Sequence, residues 1–163
     1  YVSQPLFPLD KTITIINMDV MNVWGRTKDI VSIALGHSEL DAILEKYALK
    51  QNRTVVPDPE PEKGYFFRSD HMPFIRNGVP ALFFLFSGSD YINKPADYGM
   101  KKRRDYLKND YHKPTDKVKS DWDLSGTVED LELLYAVGLD LVKSDKCPAW
   151  HASSEFAGAR NQR

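Results

Sequence analysis

Apolar and polar positions along the chain fall into a pattern of short strands and amphipathic helices. Thr12 to Val20 (TITIINMDV) is mostly apolar or β-branched and closes on a lone carboxylate, Asp19. A run that is apolar on both faces suits a strand covered on both sides, as in a parallel or mixed α/β sheet. Asp29 to Leu35 (DIVSIAL) is a second strand candidate, broken by Gly36, and Thr54 to Val56 a short third, ended by the Pro- and acid-rich loop Pro57 to Lys63. Val79 to Phe86 (VPALFFLF) is the other strongly buried strand.

Helical spacing fills the intervals. Ser38 with Asp41 three residues later carries a capping signature, and Leu40, Ile43, Leu44 and Tyr47 follow at helical spacing, which predicts an amphipathic helix over Ser38 to Gln51. Thr127 with Asp130 repeats the signature, and Val128, Leu131, Leu134, Tyr135 and Leu139 form the stripe of a helix running to about Lys143. Ser69 to Phe74, with Pro73 in its first turn, starts a short helix that ends near Gly78. Ser87 to Val118 has little apolar periodicity, and a connection of that length inside a domain is functional or disordered; its aromatic residues favour function. The tail after Cys147 has no sustained period and is expected to be peripheral or disordered.

Composition narrows the partners. The chain has 163 residues, enough for one domain with a sizeable core. Its 22 Lys+Arg balance 23 Asp+Glu, so no global field favours nucleic acid or an anionic membrane. The longest apolar run is far short of the ~20 residues needed to span a bilayer. With Cys147 the single cysteine, a metal site here must draw on His and carboxylate ligands.

Few residues are candidates for chemistry. Asp19 follows a buried strand, where a carboxylate either reaches a ligand crevice beyond the strand's carboxyl end or caps a turn. His112, in Asn109-Asp110-Tyr111-His112-Lys113-Pro114-Thr115-Asp116, is either a metal ligand with the Tyr111 hydroxyl beside it or a surface histidine. Asp70-His71 is either a carboxylate orienting an imidazole or a helix cap with an exposed neighbour. Lys101-Lys102-Arg103-Arg104, beside tyrosines, is either a patch that meets phosphate or a solvated charged face, and the balanced net charge and the lack of a nucleic-acid fold signature favour the second. No serine sits in a nucleophile elbow and no glycine-rich phosphate loop occurs.

Three stretches together, Asn17-Met18-Asp19, then Ser69-Asp70-His71-Met72-Pro73-Phe74 running into Asn77-Gly78-Val79-Pro80-Ala81-Leu82, then Asn109 to Asp116, change this picture. In that order and spacing they resemble the co-catalytic zinc aminopeptidase family, related to glutamate carboxypeptidases and glutaminyl cyclases, over roughly Thr12 to Lys143. The resemblance implies a three-layer α/β fold with a mixed, largely parallel sheet flanked by helices. It implies that Asp19 binds one zinc and His112 the other, that Tyr111 stabilises the oxyanion of the tetrahedral intermediate, and that Asp70 and His71 lie at the rim of the site in a hydrogen-bonding role.

The family also uses a His-x-Asp motif and a Glu-Glu pair, for the bridging carboxylate, the general base and further ligands, and neither occurs here. The expectation is therefore the C-terminal portion of a zinc aminopeptidase. Residues 1–145 would be the last part of the catalytic domain and 146–163 the tail, with zinc held weakly or not at all by this chain alone. A peptide substrate, a periplasmic or secreted location, no membrane span and a possible homo-oligomer through an exposed sheet edge complete it. Glutaminyl cyclases place tryptophan before the last histidine, so Tyr111 favours the hydrolase; a non-catalytic binding module of the same fold is the other alternative.

Overall fold

Four strands, β1 (Ile15–Met18), β2 (Asp29–Ser32), β3 (Thr54–Pro57) and β4 (Ala81–Phe84), make one sheet in the order β1-β4-β2-β3 in the computed structural model, which describes residues 1–159. β1 runs parallel to β4, Ile15 opposite Ala81 through Met18 opposite Phe84, and β2 runs parallel to β3. The two pairs meet antiparallel at Ser32 and Phe84, so the sheet is mixed and mainly parallel, and the α/β class follows.

Alternation along the strands feeds two cores. On one face Val31, Ala81 and Phe83 pack with Phe66 and with Met72 and Ile75 of α2 (Met72–Arg76). On the other, Ile30, Leu82 and Phe84 meet Leu40, Leu44 and Ala48 of α1 (Leu40–Lys50). The Thr12 to Val20 run serves both cores: Ile15 packs on the first, Ile13 and Ile16 on the second. Its regular strand is shorter than the apolar run, because only Ile15–Met18 is paired and β1 lies at the sheet edge.

Three sequence expectations change. The Ser87 to Val118 segment contains a 12-residue helix, α3 (Tyr98–Asn109), in place of continuous loop. Only Gly99 and Arg103 of α3 are buried, so it has no apolar stripe to see; polar side chains hold it, including Lys101 with Asp97 at 2.5 Å and Asn109 with Asp105 at 2.6 Å. The last helix, α4 (Ser125–Lys143), forms as expected but turns a different face inward. Leu133, Leu134, Val137 and Leu141 are buried, whereas Val128, Leu131, Tyr135 and Leu139 of the expected stripe are exposed. α4 is apolar on two faces, and spacing alone does not say which one the sheet takes.

The capping signatures also act otherwise. Asp123 accepts the Ser125 N–H at 3.0 Å at the start of α4, Thr127 donates to the Asn22 carbonyl, and Asp130 faces Arg53. At α1, Asp41 accepts the Gly36 N–H at 2.8 Å. Gly126 lets α4 start against the β1–β2 connection: a Cβ there would lie 2.1 Å from the Gly25 carbonyl oxygen. Through its described part the tail packs on the fold. Phe156 is buried in the first core, Trp150 packs against it, and the Trp150 indole donates to the Gly78 carbonyl at 3.2 Å. The last four residues of the tail, 160–163, lie outside the described residues.

A buried cation ties the layers together. Arg53, 1% exposed, donates to Asp130 of α4 at 2.7 Å, to Thr27 at 2.6 Å, to Ser87 beyond β4 at 2.8 Å and to the Asp29 carbonyl of β2 at 3.1 Å. A buried pair stripped of one partner leaves an uncompensated charge, which typically costs about 3–5 kcal/mol. Asp130→Ala is expected to lose about that much in urea unfolding, and a loss below ~1 kcal/mol would show that Arg53 does not anchor α4.

Candidate active site

The carboxyl ends of the parallel pair β1 and β4 point the same way, and the chain leaves both into one cleft. Asp19 follows β1 directly and is exposed. Its carboxylate accepts the Ser69 hydroxyl at 2.7 Å, Ser69 accepts the Asn17 amide at 2.7 Å, and that amide lies 3.4 Å from His71 Nδ1. His71 Nε2 lies 2.7 Å from the Phe66 carbonyl. A neutral ring with its proton on Nε2 satisfies both neighbours, since it donates to that carbonyl and accepts from Asn17.

His71 is therefore not at the rim. It is fully buried between Phe66 and Phe83 and stands behind Asp19 through Asn17 and Ser69. Asp70 is exposed and takes no part in this chain of hydrogen bonds. Ser69, the residue that actually touches Asp19, carried no signal by itself; its contact crosses 50 residues of sequence.

Across the cleft stand the end of α3 and the segment after it. Asp110 caps α3 and receives Lys119 at 2.5 Å, Tyr106 donates to Asp116 at 2.9 Å, and Thr115 donates to the Asn109 carbonyl at 2.7 Å. Burial first, and the Asp116 carboxylate next, push the Tyr106 phenol above its ordinary range, so it stays protonated as a donor. Tyr111 and His112 follow on this loop with their rings stacked at 3.8 Å, both exposed, and His112 has a left-handed backbone at φ 57°.

Between the two sides lies a cavity of about 540 Å³, with Asp19 on one wall and Tyr106, Asp110 and Asp116 on the other. Tyr111 and His112 do not line it. The donor types suit zinc, which takes imidazole and carboxylate. Their arrangement does not: among the described residues no three of His, Cys, Asp and Glu are grouped to hold a metal, so Asp19 and His112 do not form a complete centre.

Residues 1–136 match the model of peptidase family M28, the family of co-catalytic zinc aminopeptidases. The chain belongs to peptidase family M28. No curated protein and no solved structure matches it. Membership of family M28 makes the coarse class that of a peptidase, a hydrolase acting on peptides, and the matched span takes in β1, Ser69, the cleft and most of α4.

Burial, opposed by the Phe66 hydrogen bond and by Asp19 and Asp70, holds the His71 imidazole below the ordinary histidine range. Between that lowered value and ~6.5 the unfolded chain binds the extra proton and the folded chain does not, so stability rises with pH across the window. Cooling the comparison to one variable, the melting temperature is expected to fall as pH drops from ~7.5 to ~5.5, and His71→Gln to reduce that slope. His37, also lowered by burial, leaves a residual slope of the same sign. Equal slopes for both proteins would mean that His71 titrates normally.

Proposed function

We propose that this chain supplies part of the active site of a two-zinc aminopeptidase, with Asp19 a ligand of one metal and His112 of the other. What supports this reading is that, in a member of family M28, Asp19 directly follows β1 and lines a cavity whose other wall includes Asp110 and Asp116, which flank the Tyr111–His112 pair in sequence. Tyr111 is exposed beside His112 and would donate its phenolic hydrogen bond to the oxyanion that develops on the scissile carbonyl. Ser69 fixes the Asp19 carboxylate, and Asn17, itself held by His71, fixes Ser69, which orients the ligand before a metal arrives.

Two ligands fall short of the three that a catalytic zinc usually takes. The sequence also holds neither the His-x-Asp motif nor the Glu-Glu pair that would supply the bridging carboxylate and the base. The chain by itself is therefore an inactive portion of the enzyme, with zinc weakly held, and the remaining groups would come from polypeptide beyond this sequence. The substrate is a peptide cut near its free N-terminus, and family habit favours a periplasmic or secreted setting. The missing motifs favour, as a second reading, a non-catalytic binding module of the same fold; a full-length gene encoding both motifs decides for the enzyme. Tyr111 in place of tryptophan stands against a glutaminyl cyclase.

The 163-residue chain is expected not to cleave aminoacyl chromogenic substrates above background with excess zinc, and mass spectrometry after dialysis to find less than stoichiometric metal. A zinc-dependent rate lost in Tyr111→Phe, or stoichiometric zinc lost in His112→Ala, would show that the centre is complete.

The sheet edge supports self-association. Among the described residues one side of β1 is unpaired, and its Met18 is 53% exposed. An open apolar edge invites strand pairing with a second copy. Light scattering is expected to give a dimer or larger species, and a clean monomer at high concentration would remove this part of the proposal.

A further inference from the structure

α4 has a second apolar face that the fold does not use. Its inward side, Leu133, Leu134, Val137 and Leu141, is buried against β2, β4 and α1. Val128, Leu131, Tyr135, Leu139 and Val142 lie on the outward side and are 39–78% exposed. At about 100° per residue all five fall within roughly 40° of Tyr135, so they form one narrow stripe about 21 Å long.

The stripe reads the same in both directions. From Tyr135 a leucine stands four residues away on each side, Leu131 and Leu139, and a valine three residues beyond each, Val128 and Val142. An interface between two copies related by a two-fold axis must be complementary to itself, because whenever residue i meets j, j also meets i. With the axis at Tyr135, an antiparallel α4 pair sets Tyr135 on its counterpart, Leu131 on Leu139 and Val128 on Val142. A partner of another sequence places no such demand on the order of the side chains.

Charge and area agree with a second copy. The stripe itself carries no charge, and the exposed Glu132 and Lys143 of α4 share one flank of it. A parallel pair sets each of them against its own kind, whereas an antiparallel pair brings Glu132 toward Lys143 of the other copy. Four acidic residues against one lysine on α4 disfavour an anionic bilayer as the occupant. Side chains this exposed leave roughly 600 Å² of accessible surface per copy, so that two copies bury about 1,200 Å², the lower end of specific interfaces and above the ~800 Å² of incidental contacts. Tyr135, the largest and central side chain, stands where interface energy concentrates.

We propose that α4 is a homodimer interface, on which a second copy of this chain docks antiparallel with a two-fold axis at Tyr135. The assignment is independent of the metal ligands. It also concerns a surface distinct from the open edge of β1, although the two are neighbours: a Cβ on Gly138, at the margin of the stripe, would lie 3.9 Å from Ile16 Cδ1.

The test is disulfide crosslinking by copper phenanthroline in a Cys147→Ser background, which removes the single native thiol. Tyr135→Cys is expected to form a disulfide dimer by itself. Val128→Cys and Val142→Cys are expected to crosslink when mixed and not singly, since each would lie about 21 Å along the axis from its own counterpart. Leu131→Glu combined with Leu139→Glu, both at exposed positions, is expected to keep the circular dichroism of the parent and to weaken self-association at least about tenfold in sedimentation equilibrium. Met18→Lys is expected to leave the Tyr135→Cys crosslink in place. Val128→Cys crosslinking alone as fast as Tyr135→Cys would overturn the antiparallel axis. Self-association lost in Met18→Lys and unchanged in the double glutamate variant would assign it to the β1 edge and overturn the stripe. A monomer at millimolar concentration would overturn the second copy and give the stripe to another partner.

Discussion

One buried guanidinium organises the polar half of this molecule. Arg53 sits just ahead of β3 and reaches three other segments at once: the start of β2 through Thr27 and the Asp29 carbonyl, the turn beyond β4 through Ser87, and α4 through Asp130. The same turn carries a second lock. The Asp29 carboxylate accepts the backbone N–H groups of Ser89 and Asp90 at 2.9–3.0 Å, and Gly88 permits the approach, since a Cβ there would lie 2.2 Å from an Asp29 oxygen. Together the two hold the pair Phe86–Ser87, left-handed at φ 62° and 65°, and aim the Phe86 ring into the cleft. The apolar floor of the cavity thus depends on charges buried beside it.

α3 works as a bracket more than as a core helix. Arg103, Tyr106 and Asp110 recur at intervals of three and four and so share one face. Arg103 stands behind Phe86, Tyr106 enters the cavity, and Asp110 receives the lysine that anchors the following loop. A single rigid element thereby sets both the depth of the pocket and the position of the segment that carries Tyr111 and His112.

Much of the fold was legible because burial on both faces of a strand leaves a long apolar run, and β1, β2 and β4 each carry one. α3 was not, since it buries no apolar stripe and is held by polar pairs, some within the helix and its first turn and some distant, Asp58 and Glu60 against Arg103 among them. α4 was visible as a helix but not in its orientation, because a helix with two apolar faces gives the same periodicity whichever one is buried. In the site, the end of an apolar run singled out Asp19, although the strand it forms, β1, is only half-buried at the sheet edge, whereas the Ser69–Asn17–His71 relay behind it joins residues more than 50 positions apart and leaves no local pattern. The rings of Trp24, Phe86, Tyr106 and Trp122 that line the cavity come from four separate segments, and only the folded chain brings them together.

His112 adds a consequence of another kind. Its left-handed backbone costs a residue bearing a Cβ about 1–2 kcal/mol, and glycine or asparagine occupies that region with less strain. Chain variants selected for folding alone would drift at this position toward glycine or asparagine. If His112 holds a metal as proposed, position 112 is a place where stability and function pull on the same residue in opposite directions.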